Sequence, residues 1–207
     1  MSIKITTLVE NSVYGKGLQG EHGLSLLVDT GEHRLLFDTG ASDLFIRNAR
    51  ILGIDLKEVD FLVLSHGHRD HTGGLHHFLA VNDKAQVVCK RELFRPKFKD
   101  ERENGVMQPD ALDSTRFRFV DEVTELCRGV FVFPQLPVTD EEDTHFEHFF
   151  TWAEGRKQAD TFTDELALVL KQDAEVSVLS ACSHRGITNI IRAVQEYFPQ
   201  TSLKLVL

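Results

Sequence analysis

Cysteine is scarce in this 207-residue chain: Cys89, Cys127 and Cys182 are odd in number and lack the spacing of a metal finger. That excludes a disulfide framework and fits a reducing compartment. Cys89 and Cys127 read as small buried side chains. Long apolar runs are missing too, and no stretch approaches the length needed to cross a bilayer. The first ten residues alternate like a strand and carry no apolar leader with a small-residue cleavage site. The expectation is a cytoplasmic protein with no membrane partner. Basic residues are outnumbered, 23 Lys and Arg against 32 Asp and Glu, for a net charge of −9. A nucleic-acid surface needs clustered cations. The densest cationic stretch, Lys90 to Arg102, also carries Glu92, Asp100 and Glu101. Nucleic acid is therefore not an expected partner, whereas a small phosphorylated ligand is compatible with this charge.

What is present is an ordinary globular composition, 42% hydrophobic and 27% charged, of a length that suits one domain over 1–207. Short β-rich runs at 3–9, 24–28 and 35–37, separated by turns such as Asp29-Thr30-Gly31-Glu32, predict successive antiparallel strands. Leu44, Phe45, Asn48, Ile51 and Leu52 recur at helical spacing, with Ser42 as N-cap and Gly53 as the stop. The continuous apolar run 61–64 suits a strand buried on both faces. A helix is expected over 75–81 and a strand over 86–89. Strands are expected again at 117–120 and 130–133, and a hairpin at 166–170 and 176–179. A helix over 187–198 ends at Pro199, and the apolar run 203–207 reads as a buried final strand. Two polar stretches, near 90–115 and 139–163, read as irregular insertions; Pro96, Gly105 and Pro109 interrupt the first.

The chemistry is concentrated in His66-Gly67-His68-Arg69-Asp70-His71. Alternate residues of an extended strand exit share a face, so His66 and His68 can hold one metal ion together. Asp70 and His71 follow where the chain turns toward a helix, and can supply a second ion. Imidazole and carboxylate donors suit zinc first, with iron or manganese as alternatives, in one or two ions. Gly67, Gly73 and Gly74 let backbone pass close to such a site. His184, after a strand and at a Gly-containing helix entry, is the best distant ligand. Cys182 reads as a buried thiol with a thiolate ligand as the alternative. His76, His77, His145 and His148 read as surface or packing residues.

His-x-His-x-Asp-His resembles the signature of the metallo-β-lactamase superfamily, and Phe37-Asp38-Thr39-Gly40 resembles its upstream Asp motif. The resemblance implies an α/β fold, the αββα sandwich, and a supporting role for Asp38 behind the metal ligands. Further segments narrow it: Leu8-Val9-Glu10-Asn11, Glu21-His22-Gly23-Leu24-Ser25, Asp164-Glu165-Leu166-Ala167 and Cys182-Ser183-His184-Arg185-Gly186-Ile187. Together they resemble the branch of 7,8-dihydropterin-6-yl-methyl-4-(β-D-ribofuranosyl)aminobenzene 5′-phosphate synthases, over about residues 3–195. The resemblance puts Glu21 and His22 at the rim of the site and lets Asp164 and Glu165 orient the loop or a ligand. It also implies Gly-Gly-Phe-His-Leu and His-Cys-Thr-Gly segments beyond Leu207, the first with another ligand histidine. The expectation is thus a sandwich short of its C-terminal elements, whose site another copy completes or which stays partly open. A homodimer through 203–207 follows from the same reading.

If metal binds, the mechanistic default is hydrolysis of a small phosphorylated metabolite by a metal-activated water, with Asp70 touching both ion and water. The branch resemblance implies instead group transfer to a pterin. A non-catalytic metal-binding homologue is a further reading. A di-iron redox module is the weakest, since redox relatives place Glu at the position of His68 and add a flavin domain.

Overall fold

The computed structural model describes residues 3–106 and 114–207. Pro109, in the first insertion, and Met1 and Ser2 fall outside them. Strands β1 (Lys4–Val9), β2 (Ser25–Asp29) and β3 (Arg34–Phe37) pair antiparallel in sequence, as their turn-bounded alternation suggests. Helix α1 (Leu44–Ile51) follows; Ser42 Oγ accepts from the Leu44 N–H, and Gly53 at φ +70° stops it, a conformation glycine adopts without steric cost. Strand β4 (Phe61–Val63) lies parallel to β3. After the short helices α2 (Arg69–Thr72) and α3 (Leu75–Val81), β5 (Gln86–Cys89) adds in parallel to β4. The chain leaves this sheet for β6 (Lys97–Lys99) and β7 (Arg102–Glu103), then returns with β8 (Phe117–Phe119) beside β5.

A second sheet begins with β9 (Thr124–Cys127) and β10 (Val130–Phe133). Strands β11 (Phe149–Ala153) and β12 (Arg156–Ala159) intervene. The hairpin β13 (Ala167–Gln172) and β14 (Glu175–Leu179), the helix α4 (Ile187–Tyr197) and the parallel strand β15 (Ser202–Val206) complete it. The sheet orders are β1-β2-β3-β4-β5-β8 and β15-β14-β13-β10-β9.

Strand alternation builds the layers. Leu27, Leu36, Leu62 and Val87 point from the first sheet onto Phe45 of α1 and Phe78 of α3. Their neighbours Leu26, Leu35, Phe37, Val63 and Val88 point the other way, onto Val130, Val132, Leu168 and Leu170 of the second sheet. Val169, Val176 and Val178 face Ile190 and Val194 of α4. The result is helix, sheet, sheet, helix. The central strands are apolar on both faces, hence their uninterrupted runs, and each fully buried side chain of this size contributes about 1.5–3 kcal/mol.

Two expectations are corrected. The stretches near 90–115 and 139–163 are not merely irregular: β6 and β7 from the first join β11 and β12 from the second in a sheet ordered β12-β11-β6-β7. β6 and β7 are too short to show a period, and the pairing that joins the two local hairpins, β6 with β11, spans about fifty residues. The final strand is not buried: all five residues of β15 are exposed, because the apolar stripe of α4 covers β13 and β14 and β15 contributes nothing buried to that cluster. Among the described residues no helix is long and apolar enough to cross a membrane.

Candidate metal centre

The loop 66–71 leaves the C-terminal end of β4, between the two main sheets, and is fixed from below by Asp38. This residue ends β3 at φ +60°, a strained backbone for a non-glycine side chain. Its buried carboxylate accepts from the Ser65 N–H at 2.7 Å, the Ser65 hydroxyl at 2.6 Å and His71 Nδ1 at 2.7 Å. Ser65 Oγ also lies 2.9 Å from His66 Nδ1. Asp38 therefore sets the rotation of one ring directly and of another through Ser65.

The other flank is held from the second sheet and the small one. Gly67 donates its N–H to Asp164 Oδ2 at 2.7 Å. A Cβ there would stand 2.3 Å from the Leu93 carbonyl oxygen, so only glycine lets the loop lie this close. Lys97, 2% exposed, donates to Asp160 and Asp164 at 2.7 Å each. Burial alone would lower its pKa, but the charges of Asp164 and Asp160 raise it. His68 bridges to Gly105, tying the loop to the small sheet.

Two groups of donors converge. In the inner one, a donor nitrogen of each of His66, His68 and His184 lies within 4.8 Å of the other two, and the three ring centroids are 4.7, 5.0 and 5.1 Å apart. His184 arrives from the turn between β14 and α4; its Nδ1 is 3.0 Å from the His145 carbonyl, and its N–H donates to Glu165. All three Nε2 atoms are buried and have no hydrogen-bond partner. Phe162 stacks on His184 at 3.7 Å, and Phe149 lies 4.8 Å from His68, walling the group with apolar rings. The outer group centres on His71, whose Nε2 is 3.3 Å from Asp70 Oδ2 and 3.2 Å from Cys182 Sγ; donor atoms of His66, His71 and Cys182 lie within 4.8 Å of one another.

The two groups differ in charge. Burial, with the repulsion of Lys97 and of His184 when it is protonated, lowers His68 to about 2. Burial likewise lowers His184 to about 4, and His66 well below its usual range. For His71 burial works in the same direction, but the charge and hydrogen bond of Asp38, then Asp70 and Cys182, hold it well above. Burial would raise Asp70, yet the bond to His71 and the His71 and His68 charges bring it to about 2. Glu165 is pushed up to about 7 by burial, against the N–H groups of Arg185 and His184 that it accepts. Three neutral imidazoles with free, buried Nε2 atoms are the donor set a transition metal requires, and an unpaired buried polar atom is costly unless something occupies it. The residues fit a metal ion.

The structure brings His66, His68, Asp70, His71 and His184 together, with Asp38 behind them. It also brings in Cys182, the residue read from sequence as a buried thiol: its side chain is exposed and touches His71. Cys89 is buried and pushed up to about 12 by that burial, and Cys127 to about 11. His22 reaches the rim, with Nε2 3.4 Å from Asp70 Oδ2, while Glu21 instead caps the entry to α1 by accepting from Ala41, Ser42 and the Ser42 hydroxyl. His145 contributes only its backbone, its carbonyl to His184 Nδ1 and its N–H to the His184 carbonyl, and the exposed His148 pairs with Asp100. Sequence reasoning missed Lys97, Phe149 and Phe162. The Lys-Phe-Lys alternation of 97–99 does mark a strand face, but nothing local says that Lys97 points inward.

An αββα sandwich carrying His-x-His-x-Asp-His at its strand ends defines a class of protein, and the chain belongs to it: the metallo-β-lactamase superfamily model matches residues 18–164. More particularly, the chain is 33% identical to Tm1679, a metal-dependent hydrolase of the β-lactamase superfamily. The superposition covers 99% of this chain and 75% of that one, with a TM-score of 0.83. It is 29% identical over 212 residues to the 7,8-dihydropterin-6-methyl-4-(β-D-ribofuranosyl)-aminobenzene-5′-phosphate synthase of Methanocaldococcus jannaschii, covering 92% of this chain and 71% of that protein. A quorum-quenching N-acyl homoserine lactone lactonase, 13% identical with a TM-score of 0.52 over 88% of this chain and 78% of that one, shares the fold.

Proposed function

We propose that this chain is a metal-dependent hydrolase acting on a small phosphorylated metabolite. The observation that carries the reading is the convergence of three buried, unpartnered imidazole nitrogens of His66, His68 and His184 beside the Asp70 carboxylate. A divalent ion bound there, zinc first and iron or manganese as alternatives, supplies a water acidified toward neutrality and a polarised phosphoryl oxygen. The chain's own residues do the rest. Asp70, held ionised and partly open to solvent, would accept a hydrogen bond from a water at the opening and aim it. His22 stands at the opening next to Asp70. Phe149 and Phe162 keep bulk water from the back of the histidines, and Asp38 and Asp164 hold the loop against displacement.

The hydrolase reading is supported by the likeness to Tm1679, and a phosphorylated substrate by the phosphate in the name of the archaeal synthase. That same relative supports a second reading, a pterin-directed transferase, in which this site binds and orients the phosphorylated partner. Purified protein should contain near-stoichiometric transition metal and release phosphate or alcohol from some member of a panel of small phosphoesters. His68→Ala should lose both properties. A His68→Ala variant that kept metal and activity would overturn the proposal, and turnover only when a pterin acceptor is supplied would favour the second reading.

A further inference from the structure

Three features stand out away from the metal centre: the exposed face of β15, the buried Lys97–Asp160–Asp164 cluster, and a cavity lined by α4 and the segment 134–137. Nothing on β15 identifies what would cover it, and the lysine cluster is internally paired. The cavity is different, because two cations on its wall touch no carboxylate.

We propose that this cavity binds a small organic anion, a carboxylate or phosphate carried on a flat apolar body, at a site separate from the metal centre. Its volume of about 620 Å³ is that of a small-molecule site, and none of the metal-centre donors lines it. Three observations carry this. First, one short segment gathers the cations. Lys90 Nζ donates to the Pro134 carbonyl at 2.8 Å, and Arg185 Nε to the Leu136 carbonyl, two residues on, at 2.6 Å. They come from different sheets: Lys90 follows β5, and Arg185 lies in the turn between β14 and α4. Second, carbonyl partners satisfy their N–H groups but leave their charge. Both side chains are half-buried, and among the described residues neither is ion-paired with a carboxylate. Burial lowers Lys90 from its ordinary value; Glu92 opposes this without touching it, and the nearby Arg185 charge adds to the lowering. Two like charges held together and partly out of water cost the fold energy, which a charge-assisted bond to one shared anion offsets. Third, the rest of the lining suits an apolar body: Phe133, Leu136, Pro137, Ala193 and Tyr197. Tyr197 stands edge-on to Phe133 with ring centroids 5.3 Å apart, yet remains 52% exposed, an open aromatic face against which a ring can pack.

The charge along α4 orients such a ligand. Glu196, the acidic residue of the lining, is exposed in the last turn of the helix, about 14 Å along the axis from its first residue, at 1.5 Å per residue. The anionic head therefore belongs at the Lys90 and Arg185 end and the body toward Tyr197. Glu165 does not quench that end, because its carboxylate is taken by the backbone N–H groups of His184 and Arg185, at 2.8 and 2.7 Å. One turn thus presents an imidazole to the metal centre and, at the next residue, a guanidinium to the cavity.

The test is calorimetric titration of the purified full-length chain with phenylphosphonate, benzoate, inorganic phosphate and uncharged benzyl alcohol. Phenylphosphonate or benzoate should bind, the tighter of the two identifying the preferred head group, and affinity should fall as salt is raised. Inorganic phosphate should bind more weakly than phenylphosphonate, and benzyl alcohol not at all. Lys90→Met should weaken binding by about tenfold or more, and Lys90→Arg should restore most of it. Ala193→Trp, which fills the apolar end and leaves both cations in place, should abolish it. His68→Ala should leave it unchanged, since the metal centre plays no part. Binding that is lost in His68→Ala, that survives both Lys90→Met and Ala193→Trp, or that is absent for both ring-bearing anions at millimolar concentration would overturn the proposal. So would inorganic phosphate held as tightly as phenylphosphonate, which would remove the apolar body. Each of these outcomes leaves the hydrolase reading standing, because that reading rests on the histidines.

Discussion

The inner and outer donor groups sit side by side, yet they differ in charge and in their partners. His66, His68 and His184 are enclosed by Phe149 and Phe162, neutral, and left with Nε2 atoms that touch nothing polar. Asp70 and Cys182 each lie against Nε2 of the buried His71, whose charge stands between the Asp38 and Asp70 carboxylates. The first arrangement is unsatisfied without metal; the second is satisfied by a proton. An ion entering the inner group displaces nothing, whereas one entering the outer group must displace the His71 proton. The inner group should therefore fill first and hold more tightly.

The contrast can be broken hardest at Lys97. It braces the loop from the small sheet through Asp164, and removing its charge leaves two buried carboxylates without compensation. Lys97→Met should cost about 3–5 kcal/mol of stability, read as a lowered denaturant midpoint of the metal-free protein; an unchanged midpoint would mean that the cluster is not what holds Gly67. Asp38→Asn comes next. It loosens the ring of His71 directly and that of His66 only through Ser65, so metal affinity should fall about 10–100-fold, more at the outer equivalent than at the inner. Equal losses in a competition titration would erase the distinction between the groups.

The pH dependence of the metal-free fold separates the two groups by its sign. His68 and His184 are depressed in the folded state to about 2 and about 4 from an ordinary 6.5. The unfolded chain therefore takes up protons that the folded one refuses. Their stabilisation is complete above pH 6.5 and is lost as pH falls through that value toward 4, at up to about 1.4 kcal/mol per pH unit for each ring. His71 is raised, so its contribution is fully present below 6.5 and declines as pH rises above that value. Thermal melts of metal-free protein should thus weaken on acidification, and His184→Phe should flatten that slope. Melts that strengthened on acidification from pH 6.5 toward 4 would overturn the depressed titration of His68 and His184.

The same division explains what could be read from the amino-acid order. The loop 66–71, Asp38 and His184 were legible because strand ends and residue types within a few positions carry the signal, and α3 was placed over 75–81 as observed. Lys97, Phe149 and Phe162 were not, because their roles arise when β6 meets β11. A lysine in a polar stretch looks solvated until two aspartates from residues 160–164 close on it. From sequence Cys182 reads as a buried thiol at a strand end; it is exposed, and its partner is His71. The run 203–207 misled in the other direction, since apolar composition does not by itself supply a covering layer.

The contact between His71 and Cys182 joins positions 111 apart, and it closes only after both main sheets have docked. The donor cluster thus does not exist in the unfolded chain, and a long loop must close before it does. Any ion held there is a ligand of the native state alone, so free metal at a hundred times its dissociation constant would deepen the folded basin by about 2.7 kcal/mol. Metal supply and the lifetime of the folded chain are therefore a single variable for this protein.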